Sequence, residues 1–284
     1  MMRSSDMENR IRFSVLMSVY HKDTAENVEK SINSLLSQTL LPDQIVIVID
    51  GEIPQELSSL IDRFAKAHEI IDVCPLAKCG GLGAALCKGI SQCRYDWVAR
   101  MDSDDISLPD RFEKQIEYLA ENRDIDVLGG QIAEYDENME HFLCTREVPS
   151  DHSDIVKKIK YRNPMNHVTV MYKKDMVIRS GSYRECPFFE DYYLWCRMIK
   201  QGCRFGNLDS VLVNVRTGED MYRRRGGKAY NAAIIEFQKK AREAGVINGF
   251  EYYRNLMIRL LVSSMPNSVR GHFYLKRLRS KTGE

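Results

Sequence analysis

Trp97-Val98-Ala99-Arg100-Met101-Asp102-Ser103-Asp104-Asp105 decides the fold. An apolar run, Trp97 to Ala99 with Met101, ends abruptly in three carboxylates within four positions. A short apolar run bounded in this way predicts a buried strand of a parallel sheet. In an open α/β sheet, ligands bind beyond the carboxyl ends of the strands. This strand therefore delivers Asp102, Asp104 and Asp105 to the functional edge. Carboxylates this close repel, and they cannot all stay ionised and desolvated without a partner. A divalent cation is the simplest partner, since Mg²⁺ and Mn²⁺ take oxygen ligands and are commonly shared with substrate phosphates. The competing reading is a solvated acidic turn ahead of a helix that starts near Pro109. That reading suits Asp105; Asp102 and Asp104, which follow the strand directly, are read as metal ligands.

Upstream, Phe13 to Val19 predicts a first strand and Ile45 to Ile49 a second, which ends in Asp50-Gly51. Ala25 to Gln38 and Pro54 to His68 carry apolar residues at helical spacing, and Ile70 to Val73 makes a short third strand. Lys78-Cys79-Gly80-Gly81-Leu82-Gly83 is a glycine-rich loop opening a helix that runs to about Cys93. Glycine lets backbone N–H groups approach a phosphate at a helix N-terminus, although such loops more often only make turns. The β-α-β-α-β-α-β order predicts an α/β fold with a doubly wound, mostly parallel sheet. Two of its strands end in an aspartate, Asp50 and Asp102, which makes a site there more plausible than either residue alone.

Downstream, the spacing predicts a helix over Pro109–Glu121, a strand over Val127–Ile132 and a hairpin turn over Asp136–Glu140 returning through Phe142–Thr145. A helix over Ser150–Ile159, a strand over Val168–Tyr172 and a strand over Val211–Val215 follow. Phe188-Phe189-Glu190-Asp191-Tyr192-Tyr193-Leu194-Trp195 places two carboxylates among aromatics at the start of a helix. They read either as an acidic first turn that favours the helix dipole or as a general base. Arg223, Arg224 and Arg225 suit either a diphosphate, bound through bidentate bonds, or a basic surface turn. From Lys228 the pattern is helical, with a break near Gly245 to Gly249. Tyr253 to Lys281 is basic and amphipathic, including Arg254 and Arg259. Such a segment suits an anionic membrane surface or packing on its own domain with a solvated basic face.

Composition bounds these readings. The 284 residues carry 41 basic and 40 acidic side chains, a formal net charge of +1, which argues against nucleic acid as a partner. The eight cysteines include no CxxC pair, so neither a zinc site nor a disulfide framework is expected. Met1 to Arg12 lacks an apolar core, so no secretory signal is expected. No apolar run approaches the roughly 20 residues that span a bilayer.

The chain resembles the family 2 glycosyltransferases of GT-A fold, especially the bacterial ones that build O-antigen or exopolysaccharide repeat units. The resemblance rests on Ser18-Val19-Tyr20, Ser34-Leu35-Leu36-Ser37-Gln38-Thr39, Asp50-Gly51, Gly81-Leu82-Gly83-Ala84-Ala85-Leu86 and Ala99 to Asp105, then on Asn166-His167-Val168-Thr169-Val170, Glu190-Asp191-Tyr192 and Arg224-Arg225-Gly226-Gly227. It covers about residues 12 to 230. It implies a GT-A domain over 1–230, nucleotide-facing over about 12–130 and acceptor-facing over about 131–230, with a helical extension over 231–284.

The resemblance further implies that Val19, Tyr20 and Asp50 hold the base and ribose of a nucleotide-sugar, expected to be uridine-linked. Lys78 and the loop through Gly83 sit near the nucleotide, and Arg100 and Ser103 belong to the same donor side. Asp104 binds Mn²⁺ or Mg²⁺ and Asp102 contacts ribose or metal. Asp191 is the catalytic base, Arg224 and Arg225 lie near the diphosphate or acceptor, and Asn166, His167 and Glu190 are acceptor-side candidates. The implied reaction inverts the anomeric centre. The implied acceptor is a polyprenyl-diphosphate-linked sugar, which places the enzyme in the cytoplasm, peripheral on the inner leaflet through its C-terminal segment. Cys79 and Cys87 stand where many members carry asparagine, and Gly51 replaces a common second aspartate. Two alternatives stand beside this reading: a sugar nucleotidyltransferase, and a non-catalytic nucleotide-sugar-binding subunit.

Overall fold

The computed structural model describes residues 10–218 and 226–265. Four strands, β1 (Phe13–Val19), β2 (Gln44–Asp50), β3 (Ile71–Leu76) and β4 (Trp97–Asp102), lie parallel in the order β3-β2-β1-β4. They are joined by helices α1 (Ala25–Leu36), α2 (Gln55–Ala67) and α3 (Leu82–Ile90). Successive strand side chains alternate between faces. Val15, Met17, Ile45, Ile47, Ala99 and Met101 therefore join Val28, Ile32 and Leu35 of α1 and Leu57 and Ile61 of α2 in one core. Leu16, Val46, Val48 and Val98 face the opposite core, with Ala85, Leu86 and Ile90 of α3. Both faces are covered, as a parallel sheet requires.

The second half extends the same sheet with shorter, mixed strands. In chain order come β5 (Ile106–Ser107), α4 (Arg111–Glu121), β6 (Val127–Tyr135), β7 (Phe142–Arg146), α5 (His152–Lys158), a 3₁₀ turn (His167–Thr169), β8 (Met171–Lys173), α6 (Lys174–Arg179), α7 (Glu190–Lys200), β9 (Phe205–Arg216), α8 (Gly227–Glu243) and α9 (Gly249–Ser263). The sheet continues β4-β8-β6-β9-β5, with β7 paired to β6. β8 runs antiparallel to β4 and β6, whereas β6 and β9 are parallel.

Two strand expectations change. The strand expected over Val168–Tyr172 begins as a 3₁₀ turn, because Thr169 turns back on Asn166 through both its N–H (2.9 Å) and its hydroxyl (2.7 Å), and such local bonds compete with a sheet ladder. The strand expected over Val211–Val215 starts at Phe205: its first half, rich in Gly, Asn, Asp and Ser, reads as a loop but is held by pairing with β6. Two short elements, β5 and α6, carry too little pattern to read.

The C-terminal helices pack on α7. Phe237 of α8 stacks on Phe189 and Tyr192, with ring centroids 4.8 and 4.4 Å apart. On α9 the polarity is the reverse of the exposed basic face the sequence suggests. Arg254 lies over the Tyr161 ring at 4.4 Å, and Arg259 donates to the Tyr161 carbonyl at 2.9 Å. Phe250, Tyr253, Met257, Ile258 and Leu261 face outward, each 53–76% exposed. Among the described residues no helix is long and apolar enough to cross a membrane.

The end of β2 depends on one glycine. Gly51 has φ +83°, and a Cβ there would lie 2.7 Å from the backbone nitrogen of Cys79. Gly51→Ala is expected to cost about 1–3 kcal/mol of stability in urea denaturation; an unchanged midpoint would show that the loop gives way freely.

Candidate active site

The site forms where β1, β2 and β4 end and where α3 and α7 begin. At the end of β4, Asp102 is paired with Arg100, whose side chain is only 1% exposed. Behind it lies a second fully buried guanidinium, Arg111, which donates to the Arg100 carbonyl at 2.8 Å and to Gln115 at 3.1 Å. Burial, and then the Arg100 charge, lower the Arg111 pKa to about 9. The Asp102 carbonyl accepts from Ser31 on α1 at 2.9 Å. Arg100 thus supports the acidic turn from below; its burial leaves no surface for the donor contact expected of it.

Around Asp102 the acidic groups crowd. Ser103 is buried and donates to Asp23 at 2.9 Å, and Asp23 also accepts the Tyr20 N–H at 3.0 Å. Burial, with the Asp102 charge added, raises the Asp23 pKa. Burial, then the charges of Asp102 and Asp23, push Asp104 up to about 6. Asp105 is not the solvated turn residue expected. It is buried, its pKa is raised by burial and by Asp104, and it accepts the Arg216 N–H at 2.9 Å. Arg216, at the end of β9, also donates through Nε to the Asp104 carbonyl at 3.2 Å. The strand that carries the carboxylates and the far edge of the sheet are thereby tied together.

The residues present suit a magnesium-like cation. Among the described residues no group of three His, Cys, Asp or Glu side chains could hold a metal by itself. Such a cation ordinarily takes one or two carboxylates and completes its shell with water and substrate phosphates. Asp104, crowded by like charge, with Asp102 beside it, supplies a donor set of that kind.

On the donor side, Asp50 is 3% exposed and both its oxygens are used. They accept the N–H groups of Gly80 (2.7 Å) and Gly81 (2.9 Å), and Cys79 Sγ lies 3.4 Å away. The two N–H groups a phosphate cradle would need are spent on Asp50, so the carboxylate shapes the loop. Val19 is fully buried, backbone included, so it presents no surface for the nucleotide contact expected of it. Tyr20 meets His21 edge-on at 5.4 Å, and Lys78 is exposed.

Gly83 joins the two halves of the site. A Cβ there would lie 3.3 Å from Glu190 Cγ, so its lack of a side chain lets α7 approach the loop closely. Asp191, in the first turn of α7, accepts from Asn163 at 2.5 Å. Burial raises its pKa, against the lowering effect of the Tyr192 N–H, Asn163 and the Arg146 charge. Burial also raises Glu190, and the Asp191 charge adds to it. The buried Tyr183 phenol responds to the charges of Arg100, Asp191 and Asp102, so the end of β4 and the start of α7 share one electrostatic neighbourhood.

Two acceptor-side candidates turn inward. Asn166 is 1% exposed and clamps the carbonyls of Gly130 (2.9 Å) and Arg146 (3.2 Å), so its side chain reaches no ligand. His167 Nε2 meets the Tyr183 hydroxyl at 2.8 Å. Burial, with the Arg100 charge, holds His167 neutral, well below its ordinary pKa. Arg224 and Arg225 lie outside the described residues.

The family model "Glycosyl transferase family 2" matches residues 14–186. The chain belongs to glycosyltransferase family 2. Among the relatives of this glycosyltransferase, the amylovoran biosynthesis glycosyltransferase AmsE of Erwinia amylovora is 38% identical over 267 residues, covering 93% of this chain and 98% of that one. An Escherichia coli UDP-Gal:alpha-D-GlcNAc-diphosphoundecaprenol beta-1,3-galactosyltransferase is 36% identical over 268 residues, covering 94% and 97%. The crystal structure of S. aureus TarS 1-349 in complex with UDP-GlcNAc shares the fold, with a TM-score of 0.63 at 17% identity over 94% of this chain and 76% of that one. The fold is thus GT-A and the chain a transferase. The nucleotidyltransferase and non-catalytic alternatives fall away.

Asp23, Asn163, Arg111 and Arg216 escaped the sequence reading. Asp23 had a usable signal, a carboxylate four positions beyond the first strand; the others gain their place only from tertiary contact.

The raised carboxylates set a pH dependence. A group whose folded pKa exceeds its unfolded value stabilises the fold at low pH and loses that contribution as pH rises through the folded pKa. With metal absent, stability is expected to rise as pH falls from 7 towards 5, through the value of about 6 for Asp104. Asp104→Asn is expected to stabilise the protein at pH 7 and to flatten that rise, measured by urea denaturation at each pH. A steeper slope in the variant would contradict the crowding.

Proposed function

We propose that this glycosyltransferase moves a sugar from a UDP-linked donor to a hydroxyl of a sugar carried on a polyprenyl diphosphate, with inversion, during assembly of a bacterial surface-polysaccharide repeat unit. The observation that carries this reading is the juxtaposition of a crowded carboxylate cluster at the end of β4 with a half-buried carboxylate, Asp191, at the start of α7. The donor and acceptor classes follow those named for the E. coli relative, which aligns over nearly its whole length. The polysaccharide context agrees with the name of the Erwinia relative.

In this reading the two sets of carboxylates take different roles because their surroundings differ. Burial makes Asp191 a better proton acceptor than an exposed aspartate, and Asn163 fixes which oxygen faces the substrate. Asp191 then removes the proton from the acceptor hydroxyl as that oxygen attacks the anomeric carbon. Asp104 and Asp102 would hold Mn²⁺ or Mg²⁺, which stabilises negative charge on a departing diphosphate. Arg100 and Ser103 keep Asp102 and Asp23 oriented from beneath. A single displacement turns an α-linked donor into a β-glycoside, the linkage named for the E. coli relative.

The location is part of the proposal. A lipid-linked acceptor places the enzyme at the inner leaflet, and the outward apolar side of α9 supplies a surface that can enter the interface. Residues 266–284 carry five Lys or Arg and one Glu in sequence, suited to anionic lipid.

Release of nucleoside diphosphate from a panel of UDP-, GDP- and dTDP-sugars, with Mn²⁺ or EDTA and with or without a short-chain lipid-diphosphate sugar, tests the activity. Metal-dependent release from one donor, raised by acceptor, is expected. Asp191→Asn and Asp104→Ala are each expected to lower transfer by roughly 10²–10⁴-fold with the fold intact; full activity in either variant would overturn its assignment. For the membrane, Phe250→Ser combined with Met257→Ser is expected to reduce sedimentation with anionic vesicles about tenfold or more. Undiminished sedimentation would exclude α9 as the contact.

A further inference from the structure

Phe188 combines features that the fold does not require. It is one of three non-glycine residues with positive φ among the described residues, at +68°. The residue is 47% exposed. Tyr230 of α8 meets it edge-on, with ring centroids 5.3 Å apart and planes at 84°. The next residue, Phe189, is buried: it stacks on Phe237 at 4.8 Å and meets the same Tyr230 ring at 5.7 Å. The chain therefore pays backbone strain to turn one of two adjacent aromatic rings outward, and such strain concentrates at ligand-binding positions.

Its place in the fold narrows the ligand. The two ends of the segment that carries it, Arg184 and Glu190, border the glycine-rich loop: a Cβ on Gly83 would lie 3.3 Å from Glu190 Cγ and 3.9 Å from the Arg184 carbonyl. Phe188 stands three positions before Asp191, in the turn that leads into the first turn of α7. A pyranose whose hydroxyl reaches Asp191 has an apolar face of C–H groups, and an exposed aromatic ring fixed by a second ring is a rigid partner for such a face. We propose that Phe188 is the stacking platform of the acceptor sugar and sets which pyranose is accepted. This rests on the transferase reading with Asp191 as base.

The test uses the full chain with undecyl diphosphate esters of α-GlcNAc, α-GalNAc, α-glucose and α-galactose as acceptor probes. Phe188→Gly removes the ring while suiting the backbone, so its melting temperature is expected to hold or rise. The expected result is an acceptor KM raised about tenfold, with no matching rise in donor KM, and recovery in Phe188→Trp. An acceptor KM within twofold of wild type, or an equal rise for donor and acceptor, would overturn the platform. Saturation-transfer NMR supplies an arm that needs no turnover. Saturation of aromatic protons is expected to reach the pyranose protons of one probe in the wild type and to be lost in Phe188→Gly. Equal transfer in both proteins, or no binding of any probe by the wild type, would also overturn it. Failure of the transferase reading registers separately, as absence of donor cleavage by the wild type.

Discussion

Like charge concentrated at one strand end is the constraint on which the rest of the structure depends. Asp23, Asp102, Asp104 and Asp105 gather around the end of β4, and two unit charges 4 Å apart repel by about 4 kcal/mol at the effective dielectric of a protein surface. The fold meets this with buried cations placed beneath. Arg100 pairs with Asp102, and Arg111 supports the Arg100 carbonyl. Only the Arg100 half of this pair is buried, since the Asp102 side chain is 36% exposed; the larger penalty therefore falls on removing Asp102, which leaves the buried guanidinium alone. Asp105 meets the constraint differently, by accepting the Arg216 N–H, which anchors β9 against the same turn. Asp104 stays raised by burial and by Asp102 and Asp23 even with the Arg216 charge nearby, and that residue is the one proposed to seat an external cation.

The second organising contact is steric. Gly83 has no side chain, so the first turn of α7 can lie against the glycine-rich loop. This brings Glu190 and Asp191, more than a hundred positions away in sequence, beside the strand ends. Asn163 and the buried aromatic layer of α7 and α8 then fix Asp191 in place. The carboxylates proposed to face a metal and the one proposed to accept the proton are thus held on rigid elements, as a catalytic geometry requires.

The first half of the fold was legible because its strands are short continuous apolar runs and its helices are strongly periodic. The alternating cores on the two sheet faces follow directly from residues such as Val15 and Leu16. The carboxylates at strand ends were legible for the same reason, since Asp50 and Asp102 close runs that must be buried. What escaped depends on pairing across long sequence separations. Phe205 to Ser210 looks like a loop until β6 is placed beside it. Asp105 and Arg216 reveal their bond only once β9 returns to β4. Arg254 and Arg259 read as a solvated basic face, but Tyr161 and the α7–α8 rings draw them inward and leave the apolar residues of α9 outside. Composition counts charges; it does not say which side of a helix the protein body will occupy.

The most direct measurement is calorimetric titration of UDP into the wild type and into Asp104→Asn, with and without Mn²⁺. If the chain itself supplies only one or two oxygen ligands, the ion and the diphosphate must complete each other. Each then binds the wild type weakly alone and tightly together, and the variant loses that cooperation. UDP affinity that is indifferent to Mn²⁺ in the wild type, or cooperation that survives in Asp104→Asn, would contradict the account.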